Sequence, residues 1–139
     1  MQPLDPDAES LVRQWIEKAD ADLEVAGRIV VEAGDNLRIR EIVGFHCQQA
    51  AEKYLKALLT RYQIEFPKTH DIKRLLSLVS GASGPVAESL SAARWLTPFG
   101  VEIRYPSDAA EMLPGDEAKA IEIASQVKQV VLAILITNH

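Results

Sequence analysis

His46, Gln49, Lys53 and Lys56 recur at three- and four-residue steps in the stretch REIVGFHCQQAAEKYLKALLTRY, residues 40–62, and Thr60 continues the row. At about 100° per residue these positions fall on one narrow stripe of a helix. Lys supplies charge and Gln or His supplies hydrogen bonds, a combination suited to a phosphate or nucleotide. The same spacing suits a partly exposed polar edge whose Lys stems cover apolar neighbours, and spacing leaves both readings open. Arg104-Tyr105-Pro106 is a second candidate. A Pro holds the preceding residue extended. Arg is the usual choice for bidentate phosphate recognition, and Tyr can stack on a base. The alternative is a loop stapled to the body of the protein through Tyr105.

Other reactive side chains read as structural. Cys47 falls on an apolar face with no electropositive neighbours in its pattern, as expected of a buried thiol rather than a nucleophile. Glu17, Asp20, Asp22 and Glu24 form a carboxylate cluster, expected to be a solvated helix face because ligands from one helix rarely enclose a metal. The sequence has neither a Gly-rich phosphate loop nor Cys/His zinc spacing, so no metal and no cofactor are expected. His139 is terminal.

The elements that must position these residues are helical. Residues 40–62 contain one Gly and no Pro, and are rich in residues that lose little side-chain freedom in a helix. Cys47, Ala50, Ala51, Tyr54, Leu55, Ala57 and Leu58 form its broad apolar face. Small residues there let neighbours pack closely, so this is the expected central helix of a bundle. A first helix from about Asp7 carries Trp15, Ala19, Leu23, Ala26 and Val30 inward and stops near Ala33-Gly34. Asn36 is the expected cap of the second helix. QIEFPKTHD is a connection, Thr69 the expected cap of a third helix, and SGASGP, residues 80–85, a breaker. A fourth helix is expected over about Val86 to Leu96, an ordered loop over Thr97 to Ser107, and a last helix from Pro114 or Asp116 to about Ile136. The expected fold is all-α, an up-and-down antiparallel bundle of about five helices, forming one domain over residues 1–139 with residues 1–6 a flexible lead-in.

Composition fits. A chain of 139 residues suits one domain with a sizeable core. A net charge of -5 argues against a broad nucleic-acid surface but leaves room for a small basic pocket. A single cysteine excludes an internal disulfide and suits a reducing cytoplasm. The acidic start is unlike a secretory signal, and VVLAILI is too short to span a bilayer, so no membrane association is expected.

FHCQQAAEKYLKALL, the THDIKRLL after it, the later RYP and the early WIEKADADLEVA together resemble the HEPN domain family (higher eukaryotes and prokaryotes nucleotide-binding). The resemblance runs over nearly the whole chain. It implies a helical bundle that is commonly a homodimer. Prokaryotic members are often paired with a small nucleotidyltransferase, some as toxin and antitoxin. Many members are metal-independent ribonucleases with an Arg and a His separated by four to six intervening residues. The corresponding Arg is Arg104, and the positions in range are Ala109, Ala110 and Glu111. Arg40 and His46 have permitted spacing but lie in the wrong segment. The resemblance with this departure implies a non-catalytic module that binds a nucleotide or RNA phosphate, or docks on a nucleotidyltransferase. The ligand residues expected are His46, Gln49, Lys53, Arg104 and Tyr105, with Lys56 and His70 as secondary candidates. The alternative is a dimeric, metal-independent endoribonuclease using Arg104 with His46 or His70 as substitute base.

Overall fold

The protein is described by a computed structural model over residues 3–100 and 112–137. Its described residues form five α-helices and two 3-10 segments. Helix α1 spans Pro6–Ile29 and passes through a 3-10 turn, Val30–Glu32, into α2, Leu37–Arg61. Asp5 caps α1 by accepting from the Ala8 amide at 2.8 Å, and Pro6 takes the first turn, where an amide proton has no helical partner. Gly34, with φ +38°, turns the chain between the two helices. Asn36 caps α2 as expected, its side chain accepting from the amides of Arg38 and Ile39.

Helix α2 is the centre of the bundle. It packs along α1 and α5, Asp116–Thr137, and also meets α3, Ile72–Ala82, and a second 3-10 segment, Ser91–Phe99. All seven positions of its expected apolar face are fully buried. Gly44 lets Met112 and Phe99 approach: a Cβ there would lie 2.7 Å from Met112 Sδ and 3.3 Å from Phe99 Cβ. The core joins Ala19 and Ala26 of α1 to Leu55, Leu58 and Leu59 of α2 and to Ala124, Val127 and Val131 near the end of the chain. The last three lie on α5, Asp116–Thr137, which begins where the sequence pattern placed it.

Between α2 and α5 the structure departs from the sequence pattern in three places. Asp71, rather than Thr69, caps α3, Ile72–Ala82, by accepting from the Lys73 amide at 2.9 Å. Thr69 instead accepts from the Asp71 amide at 3.1 Å and shapes the turn before the cap. SGASGP does not break the chain as a block. Helix α3 runs on to Ala82, and Ser83 then caps α4, Gly84–Ser89, because Pro85 suits a first turn. The expected fourth helix over Val86–Leu96 is two pieces, α4 and a 3-10 segment, Ser91–Phe99. Leu96 and Phe99 still bury against the core, as Leu90 and Ala93 do. No helix among the described residues is long and apolar enough to cross a membrane.

Two local features carry consequences for stability. Helix α2 ends in a left-handed residue: Gln63 has φ +61°, with the amides of Gln63 and Ile64 returning to the carbonyls of Thr60 and Leu59, each at 3.0 Å. Glycine fits that position without a Cβ penalty. At the other end of α2, Arg40 is 4% exposed. Its Nε donates to Glu117 Oε2 at 2.8 Å and its Nη2 to the Gly34 carbonyl at 2.5 Å, tying together α2, α5 and the α1–α2 turn. Burial alone would raise the Glu117 carboxyl. Hydrogen bonds from the α5 backbone and from Arg40 outweigh it and hold the group below its ordinary value.

Gln63→Gly is expected to raise stability by about 1 kcal/mol in thermal or denaturant unfolding. Glu117→Gln is expected to cost about 3 kcal/mol at neutral pH because it leaves Arg40 buried and unpaired. Since the folded carboxyl titrates below the unfolded one, Glu117 stabilises the fold above the ordinary carboxylate range. That contribution fades as pH falls through the folded value, so unfolding curves of wild type and variant should converge toward acid pH.

Candidate polar site on the central helix

The seam between α1 and α2 is not purely apolar. Asp22, on α1, faces α2 with its side chain 14% exposed. One carboxylate oxygen lies 2.9 Å from His46 Nδ1, and the other accepts from Lys53 Nζ. His46 and Lys53 are seven residues apart, two turns of helix, and one carboxylate reaches both. Two residues earlier on α1, Asp20 accepts from the Tyr54 hydroxyl and from Lys128 of α5, the latter at 3.1 Å. Helices α1, α2 and α5 are thus joined by two carboxylates and their partners.

A second polar group joins α2 to the connection before α3. Gln48 is fully buried, and its Nε2 donates to the His70 carbonyl at 2.9 Å. Gln49 Nε2 donates to Gln48 Oε1 at 2.7 Å. Glu52, 1% exposed, lies with Oε1 2.8 Å from His70 Nδ1 and 3.7 Å from Lys56 Nζ. The Lys56 ammonium lies 5.3 Å from the Trp15 ring centre and 6.0 Å from that of Phe66, so both the carboxylate and the aromatic faces stabilise it.

The sequence stripe therefore divides. His46 and Lys53 converge on Asp22, and both keep part of their side chains in solvent. Gln49 is half-buried beside them on α2. Lys56 turns away into the Glu52, Trp15 and Phe66 cluster, and His70 closes that cluster from outside with an exposed ring. Arg104 and Tyr105 lie outside the described residues. The carboxylate cluster departs from its expected solvated face. Glu17 and Glu24 are exposed, but Asp20 and Asp22 point across the helix seam. Asp22 sits three residues after Ala19 and four before Ala26, within the apolar spacing of α1, and that register was the signal for it. Gln48 and Glu52 carry a similar signal, since they lie among the positions of α2 that bury Leu55 and Leu59.

Neither Cys47 nor Tyr54 is prepared for attack. Burial, reinforced by the negative charge of Asp22, pushes the Cys47 thiol up to about 12. Burial first, then the hydrogen bond to Asp20 and the charges of both aspartates, push the Tyr54 phenol far up. Both are protonated at neutral pH. Among the described residues no group of three or more His, Cys, Asp or Glu side chains is placed to hold a metal ion. What the seam offers is a set of fixed hydrogen-bonding groups: a partly exposed ammonium, an imidazole and an amide, each held from beneath by another side chain.

A family model described as HEPN domain matches residues 12–135. No curated protein and no solved structure matches the chain.

The native protein is expected to leave Cys47 unmodified by an aromatic disulfide reagent at pH 8 over minutes. The unfolded chain, whose thiol recovers its ordinary acidity, should release the full equivalent of thiolate. Fast labelling of the folded protein would contradict the buried, unactivated thiol.

Proposed function

We propose a binding role rather than a catalytic one for this protein, on the premise that the chain belongs to the HEPN domain family. The ligand is an anion carried by a nucleotide or an RNA phosphate. It is held on the His46, Gln49 and Lys53 stripe, with Arg104 and Tyr105, which lie outside the described residues, contributing to it. The observation that carries this reading is the double contact of Asp22 with His46 and Lys53. A primary ammonium has three donors and Asp22 takes one, so Lys53 keeps donors for a phosphate while its position is fixed in advance.

Charge sets the scale of the ligand. Lys53 faces Asp22, Lys128 faces Asp20, Lys56 faces Glu52 and Arg40 faces Glu117. The stripe itself offers one ammonium, Lys53, beside an amide and an imidazole, so it suits a single phosphate group. The biological setting that suits such a module is a prokaryotic two-gene, toxin–antitoxin-like pair in which the protein is a homodimer and docks on a small nucleotidyltransferase. Leu11, Val31, Leu113 and Ile136 are well exposed, which leaves apolar surface for such contacts.

One observation favours a second reading, a metal-independent endoribonuclease. His46 and His70 both present Nδ1 to a carboxylate, Asp22 and Glu52 respectively. A carboxylate so placed orients an imidazole as a general base. Against it stands the sequence after Arg104, where Ala109, Ala110 and Glu111 occupy the positions in range for the family's His.

Titration calorimetry with a nucleotide series, run beside an RNA cleavage assay in chelator, separates the two. Binding without cleavage is expected. Lys53→Ala is expected to weaken nucleotide binding by about 1.5–3 kcal/mol, the range for charged hydrogen bonds, with the fold intact by circular dichroism. RNA cleavage that is lost in His46→Ala or Arg104→Ala would establish the nuclease reading instead. Absence of nucleotide binding by the wild type would remove the proposed role.

A further inference from the structure

The direction of the Gln49 amide is set by its neighbours, and the setting begins at a backbone carbonyl. The His70 carbonyl can only accept a hydrogen bond, and it accepts from Gln48 Nε2. Gln48 therefore turns its Oε1 the other way, and that oxygen accepts from Gln49 Nε2. Gly100 lies against the Gln48 amide so closely that a Cβ there would be 2.7 Å from Cδ and 2.9 Å from both Nε2 and Oε1. A reversed Gln48 would set oxygen against the His70 carbonyl and amide hydrogen against the Gln49 amide. Both mismatches would lie at a side chain removed from water, where unpaired polar groups are costly. Gln49 Oε1 is thereby committed as an acceptor on a half-buried side chain of the candidate site.

The neighbouring imidazole is fixed in the same way. Asp22 accepts only, so His46 Nδ1 carries the proton that faces it, and in the neutral ring Nε2 is an acceptor. The stripe thus sets acceptors at Gln49 and His46 beside the donors of Lys53. Phosphate oxygens satisfy Lys53 but offer no proton to Gln49. A matching ligand carries an anion and, at some distance from it, an N–H donor. Gln49 and Lys53 are one turn apart, about 5–6 Å between Cβ atoms, and the long Lys stem widens the span.

We propose that the site selects nucleotides whose base presents an N–H donor, the exocyclic amine of adenine being one, which donates to Gln49 Oε1 while Lys53 holds the phosphate. This rests on the nucleotide-binding reading above and adds a base preference to it, with Gln49 as the specificity-determining residue and Gln48 as the residue that positions it.

The test compares AMP with purine riboside 5′-monophosphate, which lacks only the amine, by titration calorimetry. The wild type is expected to bind AMP about tenfold more tightly, the value of one well-placed hydrogen bond. In Gln49→Met the ratio should fall to about one. Equal binding of the two nucleotides by the wild type would overturn the base preference and leave the nucleotide-binding role standing. A preference that survives in Gln49→Met would also overturn it. If neither nucleotide binds, the binding role itself fails and the preference with it. Gln48→Met, with folding checked by circular dichroism, separates positioning from contact. It should lower the ratio without touching the ligand, and an unchanged ratio in a folded Gln48→Met protein would overturn the amide relay.

Discussion

A helix buried on several sides has to find partners for every polar group it carries inward, and α2 carries many. Arg40, Gln48, Glu52, Lys56 and Arg61 are all buried on it. Desolvating such groups without partners would cost more than most apolar contacts return. Each neighbour of α2 accordingly brings a polar answer as well as an apolar face. Helix α5 brings Glu117 to Arg40, the connection before α3 brings the carbonyl and ring of His70 to Gln48 and Glu52, and α1 brings Trp15 to Lys56. These pairings fix how each element sits along α2. A shift of one neighbour by a helical turn would retain much of its apolar burial but would strand a charge.

The same logic separates what the sequence made legible from what it did not. The all-α bundle follows from periodicity, and Asn36, Gly34 and Asp116 marked helix ends through chemistry that acts within a few residues. The Thr69-His70-Asp71 triplet misled because Thr and Asp are both good caps; Asp71 takes the cap, and between the two His70 meets Gln48 through its carbonyl and Glu52 through its ring. The segment from Val86 to Phe99 reads as one helix because Leu90, Ala93 and Leu96 keep helical spacing, yet a tighter 3-10 path buries the same residues.

The polar stripe was partly legible. Helical geometry placed His46, Gln49 and Lys53 together, since that depends only on α2 itself. It could not show that Asp22 completes the group, because that contact depends on the register of two helices. It also placed Lys56 on the stripe, although a long side chain at the edge of a stripe is free to choose its neighbour. There the buried Glu52 and two aromatic rings won over solvent.

The seam is also local in the chain. Asp22 lies 24 residues from His46 and 31 from Lys53, across a short turn, whereas Arg40 meets Glu117 over a separation of 77. Closing the short loop costs less chain entropy than closing the long one, so the α1–α2 hairpin has the kinetic advantage during folding. Partial opening follows the reverse order. Release of α5 breaks the Arg40 tie and the Lys128 contact but leaves Asp22, His46 and Lys53 joined. Amide exchange in α5 can therefore run faster than in the hairpin while the polar site keeps its shape.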